Sequence, residues 1–200
     1  HTDNSHDGKV ALDKIVEIAK AQGLCYLSTT DHLDYDFEYG KNRAPIKWPN
    51  LDLEKYYESW QKAKKALNDD KNNTLNLCFG IEASYDSSKA AKEAYQKVIA
   101  KYSFDVVINS VHCVDGYDVY FKMSFLFKSK KRVYRRYLET ILESLDAPYQ
   151  YDIVAHIGYI AHGAPYRDKL LRYKDFLNIC RCSPERPRSD FTIHTVSRSK

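Results

Sequence analysis

The sequence lacks the features of a membrane protein, a disulfide-bonded protein or a nucleic-acid-binding protein. No apolar run approaches the roughly 20 residues that a membrane helix needs. The five cysteines are odd in number and show no paired spacing, which argues against a disulfide framework and favours a reducing cytoplasm. The formal net charge of +4 is small, and most basic residues alternate with acids. We therefore expect a cytoplasmic globular domain that binds neither membrane nor nucleic acid, in an oligomeric state that the sequence leaves open.

Three motifs of common enzyme classes are also missing. The chain has no Gly-x-x-x-x-Gly-Lys phosphate loop, no Gly-x-Gly-x-x-Gly after its first strand-like run and no Gly-x-Ser-x-Gly elbow. It also opens on His1, without a Met and without a strand before it, which we interpret as a fragment rather than as processing. These absences argue against a P-loop nucleotidase, a dinucleotide-binding protein and an α/β-hydrolase.

What is present is an alternation of β-prone and helical segments. The β-prone runs lie at residues 24–30, 75–81, 105–111 and 152–155. Helical periodicity appears at about 10–22, 53–67, 88–102 and 130–145, with Asp52 and Ser87 or Ser88 as candidate N-caps. A repeated strand–helix order predicts an α/β fold with a parallel sheet or barrel in one domain.

Each of these runs leads into a residue that can bind a metal. His32, Glu82, His112 and His156 come at or just after the strand ends. Any one of them alone could be a satisfied core polar group, and His1, His6 and Asp7 alone could belong to a solvated terminus. Because successive parallel strands point their carboxyl ends at one basin, the four together predict a site there. Imidazole and carboxylate form the ligand mix of zinc, manganese or iron.

The ordered motifs resemble the polymerase and histidinol phosphatase (PHP) family. The opening segment His1-Thr2-x-x-Ser5-x-Asp7-Gly8 is similar to the second half of that family's first motif. The segments at 30–32, 80–83, 109–112 and 152–160 resemble the next four, and 111–121 and 134–139 resemble the histidinol-phosphatase branch. The resemblance implies a distorted seven-stranded (β/α) barrel, with its first and last strands missing or altered here.

The same resemblance implies a centre of two or three divalent metal ions and assigns its ligands. Glu82 would bridge two metals, and His112 and His156 would complete one site, which makes these three the expected catalytic residues. His1 would be the surviving histidine of the opening pair. His32 would serve another site with Asp7 or His6, of which Asp7 fits the family pattern better. His162, Arg167 and Arg172 are candidate contacts of the substrate phosphate, with surface salt bridging as the alternative for the arginines.

The match ends near residue 179. We expect a PHP domain at 1–179 and an atypical tail at 180–200, rich in Arg, Ser and Pro. The family's closing Asp-x-His is not recognisable there, and Asp190 and His194 come nearest, with a spacing of four rather than two. We interpret the tail as frame-shifted or misjoined.

The expected activity is metal-dependent hydrolysis of a small phosphomonoester, with L-histidinol phosphate in histidine biosynthesis as the leading substrate. Metals would neutralise phosphate charge and activate water, and Asp31 could orient His32 or could equally cap the following loop. Two alternatives stay open: a phosphoesterase for a nucleotide or sugar phosphate, and an inactive fragment of such an enzyme.

Overall fold

The computed structural model describes residues 1–35, 49–170 and 172, and it has an α/β fold. The helices are α1 (Leu12–Ala21), α2 (Leu53–Asp69), α3 (Lys89–Lys101), α4 (Lys130–Ser144) and α5 (Ile160–Gly163). The strands are β1 (Tyr26–Leu33), β2 (Asn76–Ser84), β3 (Val106–Ser110), β4 (Cys113–Val114), β5 (Tyr117–Asp118) and β6 (Ile153–Val154), and a short 3-10 helix spans Lys122–Phe125. Asp190, His194 and the whole of the predicted tail lie outside the described residues.

Four strands form one parallel sheet in the order β1-β2-β3-β6. Spatial neighbours are also neighbours in the strand–helix alternation, with α2 and α3 connecting the first three strands. The register sets His32 directly beside Glu82. The predicted parallel sheet is therefore confirmed, and its carboxyl edge gathers the predicted ligands.

Local sequence explains where the long helices begin. The side chains of Asp52, Ser88 and Ser129 accept hydrogen bonds from the backbone amides of Lys55, Ala91 and Arg132, respectively. Each satisfies an amide that the first helical turn would otherwise leave unpaired. Ser88, rather than Ser87, is thus the cap of α3. No helix among the described residues is long and apolar enough to cross a membrane.

Buried tyrosines of α2 and α3 tie these helices to the middle and to the carboxyl ends of β1 and β2. The Tyr56 hydroxyl lies 2.9 Å from the carbonyl oxygens of both Thr29 and Gly80. The Tyr95 hydroxyl lies 2.7 Å from the Leu33 carbonyl and 2.6 Å from the Ser84 carbonyl. Each hydroxyl therefore spans β1 and β2 and fixes them beside the site.

A hairpin that the sequence interpretation did not anticipate follows β3. Strands β4 and β5 pair antiparallel through Cys113 and Asp118. The two residues at its tip, Asp115 and Gly116, have φ of 52° and 80°. Asp-Gly with two positive φ values is the chemistry of a tight hairpin turn, whose twist matches that of the flanking strands. Along the chain, the hairpin separates His112 from Tyr120 and Lys122, which line the cavity described below.

Candidate metal centre

Glu82 lies at the centre of the cluster at the carboxyl edge of the sheet. Its side chain is buried, and its Oε1 lies 2.9 Å from His112 Nε2 and 2.7 Å from His156 Nε2. Ser110 Oγ donates to the same oxygen at 2.8 Å, and His1 Nε2 lies 3.2 Å from Oε2. Three imidazoles from distant parts of the chain therefore converge on one buried carboxylate.

The amino-terminal segment is held over the sheet by Asp31. The Asp31 carboxylate accepts hydrogen bonds from the Thr2 amide at 2.5 Å and the Thr2 hydroxyl at 2.7 Å. Ser5 Oγ in turn accepts from the amide of His32 at 3.0 Å. Asp31 is therefore bonded to the opening segment. The suggestion that it orients the His32 ring is wrong, because both of its oxygens are bonded to Thr2 and successive residues of a strand point to opposite faces.

This docking brings His1, His6 and Asp7 to the cluster. His1 Nδ1 lies 2.9 Å from Asp7 Oδ1, and Asp7 Oδ2 lies 3.7 Å from His32 Nε2. The rings of His6 and His32 stack with centroids 5.0 Å apart. Both alternatives left open by the sequence, Asp7 and His6, thus lie beside His32.

His156 reaches Glu82 through an uncommon backbone conformation. Its φ is 62°, a region that costs an L-residue about 1–2 kcal/mol. The Tyr137 hydroxyl lies 2.5 Å from the His156 carbonyl, which also accepts from the Tyr159 amide at 2.8 Å. These contacts hold the His156 backbone in this conformation, and strained residues of this kind cluster at functional sites.

The cluster shifts the protonation of its members. Burial raises the pKa of Glu82, but hydrogen bonds with His1, His112 and His156 outweigh it and hold that pKa well below its usual value. Burial lowers the pKa of His1, but Glu82 and Asp7 outweigh it and raise the pKa to about 9. Burial also opposes the charging of His112, yet Asp34 and Glu82 hold its pKa well above its usual value. The carboxylates therefore demand compensating positive charge.

The donor set fits divalent metal ions. Four overlapping groups have ligand atoms within 4.8 Å of one another: His1, His32 and Glu82; His6, Asp7 and His32; His32, Asp34 and His112; and Glu82, His112 and His156. Imidazole nitrogen with carboxylate oxygen is a zinc-type donor set. The buried His32 Nδ1 and Asp34 Oδ1 also have no hydrogen-bond partner among the described residues. All seven predicted ligands are thus together, and Asp34 is a member that the sequence interpretation missed.

The three predicted substrate contacts are placed differently. His162 lines a cavity of about 490 Å³ together with Lys122, Lys169 and Tyr120, and its ring stacks on Tyr120 with centroids 5.9 Å apart. Arg172 Nη2 lies 3.0 Å from Asp168 Oδ2, and Arg167 is exposed. Neither arginine is among the residues that line this cavity, so their substrate contacts stay predictions.

The fold and the cluster define an α/β protein whose parallel sheet carries a histidine and carboxylate centre, fit for metal, at its carboxyl edge. The family model of the PHP domain matches residues 1–180, and the chain belongs to that family.

Two curated relatives and one solved structure are similar to this chain. It is 28% identical over 177 residues to a probable histidinol-phosphatase of Clostridium acetobutylicum, covering 88% of this chain and 62% of the relative. It is 27% identical over 176 residues to a histidinol-phosphatase of Lactococcus lactis, covering 88% of this chain and 61% of the relative. The crystal structure of histidinol phosphate phosphatase from Lactococcus lactis, complexed with zinc, L-histidinol and phosphate, superposes with a TM-score of 0.76 at 26% identity. That match covers 90% of this chain and 64% of the other, so the chain spans less than two thirds of the length of these relatives.

Proposed function

We propose that this protein hydrolyses a phosphomonoester at a centre of two or three divalent metal ions, with L-histidinol phosphate as the substrate. The observation that carries the proposal is the convergence of His1, His112 and His156 on the buried Glu82. Two relatives named as histidinol-phosphatases, and a similar fold with zinc, L-histidinol and phosphate bound, favour this substrate over other small phosphates.

Each member of the cluster has a proposed role. Glu82 would bridge two metals, a role supported by one oxygen facing His1 and the other facing His112 and His156. His32 with Asp7 or His6 would hold a further ion. Bound zinc, manganese or iron would neutralise phosphate charge and lower the pKa of water. The protein's own contribution is to fix the donors before substrate arrives, which removes the need for reorganisation.

His162 is the proposed contact of the substrate outside the cluster. It lines the cavity that also contains the side chains of Lys122 and Lys169, and positive charge there suits a phosphorylated ligand. Tyr159 links the cavity to the metal centre, since its ring lies 6.3 Å from that of His162 and 5.0 Å from that of His156. We include Arg167 and Arg172 as secondary candidates, because they follow the cavity closely in the sequence.

We further propose that the four parallel strands are part of a distorted seven-stranded barrel, and that residues 1–179 form the PHP domain. The sequential strand order and the 0.76 TM-score support the barrel. The same proposal has three further parts. Residues 180–200 form a separate tail, and manganese or iron can replace zinc. The enzyme serves histidine biosynthesis in the cytoplasm.

Phosphate release from L-histidinol phosphate tests the activity. Purified protein with zinc or manganese should release phosphate, and Glu82→Ala should reduce the rate by more than 100-fold because the buried anion that gathers the imidazoles is gone. Glu93→Ala, which removes an exposed carboxylate of α3, is the matched control and should retain the wild-type rate. A nucleoside monophosphate and a sugar phosphate serve as competing substrates.

The outcomes separate the alternatives. A faster rate on the nucleotide or sugar phosphate would replace the substrate while keeping the reaction. No release of phosphate from any substrate, by a protein that melts cooperatively and binds zinc, would leave the chain an inactive member of its family.

A further inference from the structure

A single buried carboxylate lies behind two of the imidazoles of the centre. Asp34 follows the last residue of β1, its side chain is 6% exposed, and its amide donates to Asn50 Oδ1 at 2.9 Å. Its Oδ1 lies 3.4 Å from His32 Nδ1 and 3.3 Å from His112 Nδ1. One oxygen of Asp34 therefore faces the Nδ1 atoms of both His32 and His112.

The Nε2 atoms of the same rings face other carboxylates of the cluster. His112 Nε2 lies 2.9 Å from Glu82 Oε1, and His32 Nε2 lies 3.7 Å from Asp7 Oδ2. The two rings are 4.9 Å apart and inclined at 66°. Each ring therefore has Asp34 on its Nδ1 side and another carboxylate on its Nε2 side, which is Glu82 for His112 and Asp7 for His32.

The chemistry of a metal-bound imidazole indicates which nitrogen of each ring carries the proton. A neutral imidazole that binds a metal through Nε2 carries its proton on Nδ1 and needs an acceptor there. A carboxylate oxygen has more than one lone pair and can accept from both rings. His32 Nδ1 and Asp34 Oδ1 are buried and lack a hydrogen-bond partner among the described residues, so the acceptor and one donor are available to each other.

We propose that Asp34 is a positioning residue that holds His32 and His112 through their Nδ1 atoms, so that both present Nε2 to metal ions. This inference rests on the metal centre proposed above and goes beyond its ligand set. Because His32 belongs to the groups around Asp7 and His1 while His112 belongs to the group with His156, loss of Asp34 weakens two metal positions together.

The rival role for Asp34 is direct ligation, because it also forms a candidate group with His32 and His112. Ligation there would use the Nδ1 atoms. Both rings would then have to bind metal through both nitrogens while serving the Glu82 and Asp7 groups. A single orienting contact requires only the ordinary neutral tautomer, and it is the role that the geometry favours.

Zinc titration against a chromophoric chelator tests the inference without using activity. In Asp34→Ala, which removes the acceptor oxygen altogether, the affinity at two positions should fall by about 10–100-fold, the usual effect of removing a group that orients a metal-bound histidine. His156→Ala should weaken one position only. Asp118→Ala is the matched control, because Asp118 is buried to a similar degree but accepts from the Tyr120 amide. Its charge acts on His112 without a hydrogen bond, so its zinc affinities should fall far less than those of Asp34→Ala. The visible spectrum of the cobalt-substituted protein should change in Asp34→Ala and not in Asp118→Ala.

Each other result overturns the inference in a recognisable way. Unchanged zinc affinity in Asp34→Ala excludes a positioning role, and loss of one zinc equivalent with the other affinities unchanged makes Asp34 a ligand. Wild-type protein that binds no zinc overturns the metal centre itself.

Nitrogen NMR of the histidines in wild-type zinc protein provides a test that does not depend on how a variant folds. Protons on Nδ1 of both His32 and His112 are expected, and a proton on Nε2 of either ring would overturn the assignment.

Discussion

Carboxylates at the two ends of the parallel sheet allow a comparison between regions built from the same side chains. At the amino end, Asp105 Oδ2 accepts from the Phe79 amide and Asp152 Oδ2 accepts from the Val107 amide, each at 2.8 Å. At the carboxyl end, Glu82 is buried and faces imidazoles, with the Ser110 hydroxyl as its other donor. A carboxylate accepts backbone hydrogen bonds at the amino end of the sheet, whereas at the carboxyl end it attracts positively charged partners.

The difference comes from burial and from the kind of partner. Asp105 and Asp152 are exposed, and each accepts from a backbone amide of the neighbouring strand one residue before the pairing of the two strands begins. A buried carboxylate loses its hydration and must be compensated by hydrogen bonds and opposite charge. Position along the strand therefore determines the chemistry: a carboxylate before the strand stabilises the sheet, and a carboxylate at its end organises a site.

Removal of metal should give the largest difference between variants at the two ends of the sheet. A chelator should abolish phosphate release and lower the melting temperature of wild-type protein, because free zinc at 100 times its dissociation constant stabilises the folded state by about 2.7 kcal/mol. Glu82→Gln should lose most of this zinc-dependent shift, since its neutral amide no longer attracts a cation. Calorimetric scans with and without zinc measure the effect.

Asp105→Asn is the matched variant at the other end of the sheet, and it should keep the full zinc-dependent shift in melting temperature. A shift that is equally reduced in both variants would remove the distinction between the two ends.

The pH dependence of zinc affinity should sharpen the same comparison. The pKa of His1 is about 9 in the protein without metal, and that of His112 is well above its usual value. Zinc must displace these protons, so its affinity should rise as pH rises toward 9, by up to about tenfold per pH unit for each proton displaced. Calorimetry in buffers of different ionisation enthalpy counts the protons released.

His1→Ala should make that pH dependence shallower by one displaced proton. Asp152→Asn should leave it unchanged, because Asp152 contacts no imidazole in the described part of the chain. An identical slope in His1→Ala and wild type would show that His1 does not bind the metal.

The periodic parts of the fold could be predicted from the sequence. Helical spacing and the N-caps Asp52 and Ser88 located α2 and α3 within a few residues, because both signals are local. The four parallel strands were anticipated for the same reason, although β2 extends past Glu82 to Ser84. The β4–β5 hairpin was missed even though Asp115-Gly116 is a strong hairpin signal, since its strands have only two residues each.

The sequence predicts which residues form the site better than it predicts how they contact one another. Glu82, His112 and His156 follow from their places at strand ends. The docking of His1 depends on the bonds between Thr2 and Asp31, which are 29 residues apart, and sequence reasoning has no access to such contacts. Asp34 did have a local signal: it stands two residues after His32, hence on the same side of an extended strand, whereas the adjacent Asp31 points the other way.

The amino end of the sheet should give the smallest effect. Asp152→Ala removes the acceptor of the Val107 amide, but water can reach this exposed position and replace part of the bond. The free energy of unfolding should therefore fall by about 1 kcal/mol, the net value of a typical hydrogen bond. Urea denaturation of the zinc-free protein measures the change. Asp152→Asn keeps an acceptor oxygen and should retain most of the stability. Zinc affinity should be the same in both variants, because the amino end supports the strands without contributing charge to the cluster. A variant that lost zinc binding along with stability would mean that the two ends of the sheet are coupled through β3 and β6.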